Sequence, residues 1–202
     1  MYSQTTIASY DFESGLQGWT DGGNDAGRLN NNNYSCNGSG SLYTKDNTTA
    51  SNRITSPALD FSSYKSIEIS CCSKNARLDN GEGFTVEYFN GTTWQAVTTF
   101  LRGTHFTGTG SNSSYNLSFT LDSATYSLVT NAKFRFSSTA NDDDEYNVCD
   151  NILVEGYSSG PEMNVVGSGQ NIVDGDTTPS TFDDTNFGDS APGTPVTHTF
   201  TI

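Results

Sequence analysis

The residues in this chain best placed to do chemistry are carboxylates set among apolar strand-like stretches. Near the start runs Tyr10-Asp11-Phe12-Glu13, and far along the chain runs Val148-Cys149-Asp150-Asn151-Ile152. If these two stretches pair as neighbouring strands, Glu13 and Asp150 meet at the seam between them. Asp46, beside Asn47 at a strand end, adds a third carboxylate, with Asp11 and Asp25 as weaker additions. Calcium takes about six to eight hard oxygen ligands, several of them carboxylates. Glu13, Asp46, Asp150, Asp11 and Asp25 are therefore the expected ligands of a structural calcium ion that ties the seam together. Asp142, Asp143 and Asp144 offer a second acidic cluster. A hydrogen-bonded carboxylate cluster without any ion gives the same sequence pattern, and charge runs on loops are usually solvated.

Catalytic patterns are weak. The chain has no H-E-x-x-H motif, and its one G-x-S-x-G match, Gly156 to Gly160, falls in a Ser/Gly-rich stretch rather than at a strand-to-helix turn. Its two histidines, His105 and His198, fall in different expected domains. Glu13 and Asp150 could in principle form a glycosidase pair, but they are better explained as metal ligands. The expectation is a protein that is not an enzyme.

The elements that must position these residues are strands. Only 33% of the chain is hydrophobic but 12% is aromatic, so the core must be built from Phe, Tyr and Trp. Such residues favour strands. Tyr115-Asn116-Leu117-Ser118-Phe119-Thr120-Leu121 alternates cleanly, and so does Lys133-Phe134-Arg135-Phe136. Phe84 to Phe89 and Thr93 to Phe100 flank Asn90-Gly91, a strong hairpin signal. Ile7 to Glu13 reads as the first strand, Ser66 to Cys72 as a middle one and Tyr146 to Glu155 as the closing one. Trp19 reads as core. No stretch has a convincing helical period. A jelly-roll β-sandwich brings first and last strands together, so the expected fold is all-β, a jelly-roll sandwich over 1–156.

A net charge of −14 excludes nucleic acid and anionic membrane surfaces as partners, because both need a basic face. No run of about 20 apolar residues is present to span a membrane. The four cysteines, Cys36, Cys71, Cys72 and Cys149, lack zinc spacing and suit one or two disulfides in an exported protein. Adjacent Cys71 and Cys72 point to opposite faces of a strand, and Cys149 could reach one of them if their strands are neighbours; small buried thiols are the alternative. Met1-Tyr2-Ser3-Gln4 is no signal peptide, and Met1 is read as a start placed on a fragment of a longer secreted protein.

Residues 157–160 read as a Ser/Gly linker. Beyond it, 161–202 contains two strand-like pieces, Glu162–Val165 and Val196–Ile202, around an acidic turn region. These have too little apolar area to fold alone. The stretch is read as the truncated start of an immunoglobulin-like domain, with an extension packed on the first domain as the alternative.

The D-F-E…G-W start, carried by Asp11-Phe12-Glu13, Gly18 and Trp19, and the closing Asp150-Asn151-Ile152 resemble MAM-type domains. Leu59 to Tyr64, Asn80-Gly81-Glu82, Trp94 and Asn131 to Phe136 are similar to MAM-like jelly-roll modules of secreted bacterial multidomain proteins. Pro161 to Val165, Asp174 to Pro179 and Phe187-Gly188 resemble the start of bacterial choice-of-anchor immunoglobulin-like domains. Cys71-Cys72 and Cys149 depart from the first pattern together, which favours a disulfide between their strands.

The resemblance implies a secreted or cell-surface location, covalently linked neighbouring domains, and a non-catalytic carbohydrate-binding module attached to a polysaccharide-degrading enzyme. An adhesion or protein-interaction module is the alternative. Sugar sites use aromatic faces for stacking and polar side chains for hydroxyls, with Arg or Lys added for anionic sugars. The candidates are Tyr34, Tyr43, Arg77, Trp94, Arg102, Arg135 and Tyr146. The expected partner is a polysaccharide, with an anionic one allowed for. Each candidate alone is better explained as structural or solvated than as ligand-binding, and only clustering on one face would promote it.

Overall fold

The computed structural model describes residues 3–46, 50–158, 164–173 and 175–202. The chain divides into two compact units, Met1–Ser159 and Gly160–Ile202.

The strands of the first unit follow the alternation of its sequence. They are β1 (Ser3–Tyr10), β2 (Thr20–Asp21), β3 (Ala26–Asn30), β4 (Gly40–Lys45), β5 (Arg53–Thr55) and β6 (Ser66–Ser73). After them come β7 (Gly83–Phe89), β8 (Trp94–Leu101), β9 (Tyr115–Asp122), β10 (Lys133–Ser138) and β11 (Tyr146–Ser158). Strand β6 buries every second side chain, Ile67, Ile69, Cys71 and Ser73, and β9 does the same with Leu117, Phe119 and Leu121.

Two antiparallel sheets result. One has the order β3-β4-β11-β6-β9, with β1 also paired to β11; the other has the order β2-β5-β10-β7-β8. The long strand β11 takes β6 on one side and, on the other, β4 and then β1 in succession. First and last strands are thus neighbours, as a jelly roll requires, and the fold is a jelly-roll β-sandwich. The layer between the sheets mixes aromatic rings with aliphatic side chains. Trp19 packs edge-on to Tyr10, Phe12 and Phe134, with ring centroids 5.6, 6.0 and 5.2 Å away. Such pairs add about 0.5–1.5 kcal/mol each beyond the area they bury.

Two sequence expectations are corrected here. The first strand ends at Tyr10, not at Glu13, because Phe12 takes a positive φ of 57° and turns the chain off the sheet. The disulfide joins Cys36 to Cys72, while Cys71 and Cys149 are buried thiols. Cys71 and Cys72 do face opposite ways: Cys71 belongs to the core, and Cys72 is on the far side of the sheet.

The second unit holds a three-stranded antiparallel sheet of β12 (Val165–Gly167), β13 (Gln170–Ile172) and β14 (Phe200–Thr201). Ser168 and Gly169, both at positive φ, make its tight hairpin turn. The His198 ring stacks on Phe187 at 4.3 Å.

Candidate functional site

The site begins with the outer face of the six-stranded sheet. Leu42 on β4 lies in the core, so Tyr43 next to it faces outward, as does Val148, which pairs directly with it. Two residues along β11, Tyr146 and Asp150 share that face with Val148. So does Cys72 on β6, the partner of Asp150.

The segment between β3 and β4 folds over this face and is held at three points. Cys36 is bonded to Cys72. The Asp150 carboxylate accepts the N–H of Cys36 at 2.7 Å and of Asn37 at 3.1 Å. The Glu13 carboxylate accepts the N–H of Ser39 at 2.9 Å and of Gly40 at 2.7 Å. Gly38 suits its place because it takes a positive φ of 66°, and a Cβ there would also push the Glu13 carboxylate aside. Asp150 is fully buried. Burial pushes its carboxyl above the ordinary carboxylate value, the backbone N–H groups of Asn37, Cys36 and Asn151 pull it back, and nearby Glu13 adds to the rise.

Tyr34 rides on this tethered segment, and opposite it stands a second edge. Ala76 exchanges backbone hydrogen bonds with Tyr146, at 2.9 and 3.0 Å. Leu78 N–H then closes onto the Ala76 carbonyl at 2.8 Å, which leaves Arg77 at the tip of a three-residue turn with φ of 60°. Such a turn is rare and strained for a residue other than glycine, and the Arg77 side chain is largely exposed. Arg77 donates to the carboxylate of Asp144.

Between the two edges lies a groove of about 300 Å³, lined by Leu29, Asn31, Tyr34, Ala76, Arg77, Asp144 and Tyr146. That volume is at the lower end for small-molecule clefts, which start near ~300 Å³. Its chemistry is mixed: two aromatic rings, an aliphatic floor, one amide and one ion pair. Tyr43 on the neighbouring strand packs against Tyr146, with ring centroids 5.6 Å apart.

The loop bearing Asp144 is itself anchored from below. Glu145 is buried and accepts the N–H groups of Asn141 and Asp142, both at 3.1 Å. Buried Glu82 accepts from the Asn141 side-chain amide at 2.5 Å. Burial pushes the Glu145 carboxyl up, and a hydrogen bond shared with the Glu82 carboxylate raises it further.

Of the sugar-binding candidates, Tyr34, Arg77 and Tyr146 line the groove, and Tyr43 packs against Tyr146. Trp94 and Arg135 meet on the other sheet, where the guanidinium covers the indole at 4.0 Å and is held by Glu87 through bonds of 2.6 and 3.0 Å. Arg102 donates to the Leu78 carbonyl. Sequence reasoning did not select Leu29, Asn31, Ala76 or Asp144; the only signal for Asp144 was its acidic run, which reads as a solvated loop.

The expected calcium ligands are also divided. Asp25 and Asp46 can bring carboxylate oxygens within 4.8 Å of each other and of Asp143. The Lys45 ammonium stands 2.9 Å from Asp143 and 4.0 Å from Asp25. Glu13 and Asp150 instead spend their oxygens on backbone N–H groups, and Asp11 accepts from Glu13 N–H at 3.2 Å and from Gln17 at 2.7 Å. Asp79, Glu82 and Glu145 form another convergent acidic group among the described residues.

No family model and no curated protein matches the chain. Solved structures do. The CBM22-1 xylan-binding domain from Paenibacillus barcinonensis Xyn10C is 20% identical, with a TM-score of 0.54 over 79% of this chain and 99% of that one. The CBM22-1–CBM22-2 tandem of the same protein gives 20% identity and a TM-score of 0.56, over 82% of this chain and 49% of that one. The C-terminal family 22 carbohydrate-binding module of Clostridium thermocellum Xyn10B is 18% identical, with a TM-score of 0.53 over 75% and 94%. These structural neighbours are carbohydrate-binding modules, and at such identity they share a β-sandwich fold with this chain. No helix among the described residues is long and apolar enough to cross a membrane.

Proposed function

We propose that the first unit is a non-catalytic carbohydrate-binding module that takes a polysaccharide in the groove between Tyr34 and Tyr146. The observation that carries this reading is convergence. Three residues of sugar-binding type, drawn from separate parts of the chain, line one cleft on the face of a sandwich. Tyrosine rings offer flat apolar faces to sugar C–H groups and hydroxyls at the rim. Asn31, Arg77 and Asp144 supply both donors and acceptors for sugar hydroxyls. The fold likeness to carbohydrate-binding modules, a xylan-binding one among them, supports the class of ligand. The alternative, an adhesion module, predicts an exposed apolar patch or a paired edge strand; among the described residues every large exposed apolar side chain lies in the second unit. The proposal includes secretion, with neighbouring domains that act on the polysaccharide, and an immunoglobulin-like character for the second unit.

A structural calcium ion belongs to the same proposal, at Asp25, Asp46 and Asp143. Three carboxylates from three segments fit a hard cation. The ion would replace Lys45 as their counter-charge and pin the acidic loop beside the groove.

The test is isothermal titration and affinity electrophoresis with soluble xylan, β-glucan, mannan and galactan. Binding to at least one, weakened by Tyr34→Ala and by Tyr146→Ala, is the expected result. Binding to none would overturn the proposal.

A further inference from the structure

The proposed groove carries a feature that a generic sugar site does not need. Among the described residues that line it, Arg77 holds the one positive charge, and that charge is already engaged by Asp144. Exposed Asp142 stands on the same loop, Asp143 is paired with Lys45 at 2.9 Å, and the chain as a whole carries −14. A uronate or sulfate group seeking Arg77 would have to sit beside the Asp144 carboxylate and within the field of its neighbours.

A neutral sugar meets the opposite situation. A guanidinium donates and a carboxylate accepts, so two adjacent hydroxyls can each be satisfied by one half of the pair. The ring is then left free to lie on Tyr34 or Tyr146. The hydrogen bond from Arg77 to Asp144 sets the two halves side by side, and buried Glu145 anchors the loop that carries the acceptor half.

We propose that Asp144 is a specificity-determining residue: paired with Arg77, it makes the groove select neutral glycans and reject uronic-acid-bearing ones. This rests on the groove being the carbohydrate site. The pair is largely exposed, with side-chain accessibilities of 69% and 55%, so the selectivity is moderate and fades with salt. Removing a carboxylate at this range changes the affinity of a singly charged ligand by about fivefold at low ionic strength.

The test compares the parent with Asp144→Asn, which is nearly isosteric and lies on the surface. A neutral panel (xylohexaose, cellohexaose, mannohexaose) and an anionic panel (hexagalacturonate and a glucuronic-acid-substituted xylo-oligosaccharide) are titrated at low and high salt. Asp142→Asn makes the same change in net charge nearby, at a side chain that does not line the groove. The expected result is that the parent prefers neutral ligands. D144N should shift the anionic-to-neutral affinity ratio by about fivefold at low salt, whereas D142N should shift it by less than half as much. An unchanged ratio in D144N, an equal shift in D142N, or a parent that binds an anionic ligand as tightly as any neutral one would overturn the assignment while leaving the carbohydrate site standing. Binding of neither panel by parent or variant would overturn the site and the assignment together.

Discussion

Replacing both cysteines of the Cys36–Cys72 bridge by serine isolates what holds the groove's Tyr34 edge in place. The bridge spans a sequence separation of 36 residues. Closing a loop of that length in the unfolded chain is worth about 4 kcal/mol in the chain-entropy treatment. For a unit of this size about 1 kcal/mol corresponds to a shift of ~2–4 °C in Tm. The double variant should therefore melt about 8–16 °C lower. Its native state, however, keeps two other tethers on the same segment. Asp150 still receives the N–H groups of Cys36 and Asn37, and Glu13 still receives those of Ser39 and Gly40. The disulfide thus acts mainly on the unfolded chain, and at a temperature where the variant is folded its glycan affinity should stay within about threefold of the parent, ~0.7 kcal/mol. Circular dichroism melts and titration calorimetry on the same samples read both quantities. A Tm within ~2 °C of the parent would refute the entropic argument, because that corresponds to about 1 kcal/mol or less. A large loss of affinity in the folded variant would show that the carboxylate tethers do not hold Tyr34.

Glu145 gives a pH test. Its folded-state pKa lies above the ordinary 4.5, first through burial and then through the hydrogen bond shared with Glu82. A carboxyl raised in this way contributes stability that is fully present below the unfolded value and is lost as pH rises through the folded one. Glu145→Gln cannot titrate, so the Tm of the variant relative to the parent should increase from pH 4 upward; a difference independent of pH would contradict the burial argument. Calcium gives a further one. At about 100 times its dissociation constant a bound ion adds ~2.7 kcal/mol, so the parent should melt about 5–11 °C higher with calcium than with chelator. Asp143→Asn should remove that increment, and equal melting temperatures for the parent in the two buffers would argue against the ion.

How much of this was legible in the sequence depended on which forces set each feature. The strands were readable because alternation in β9 and β10 reports burial directly, and Asn90-Gly91 marked the hairpin between β7 and β8. Seam carboxylates were found, yet their partners were not. Glu13 leaves its strand because Phe12 adopts a positive φ, a choice of backbone that no periodicity announces. The disulfide followed from Cys72 facing outward toward the segment between β3 and β4, a pairing that spacing alone leaves open. Tyr34, Arg77 and Tyr146 could be named by side-chain type. Their convergence needed the Ala76–Tyr146 bridge and the folding of the Cys36 segment over the sheet, both of which are tertiary. Trp94, another candidate by type, is covered by Arg135 from two strands away in the same sheet, a contact that the sequence could not display.

The most direct test of the account is the glycan affinity of the first unit's groove, measured by titration calorimetry in the parent and in Tyr146→Ala. Tyr146 closes the groove beside Arg77 and Asp144 without entering the core cluster. The account predicts saturable binding of a neutral polysaccharide by the parent and a loss of about tenfold in the variant, ~1.4 kcal/mol, with folding intact. Binding that is indifferent to Tyr146, or no binding to any neutral glycan, would contradict it.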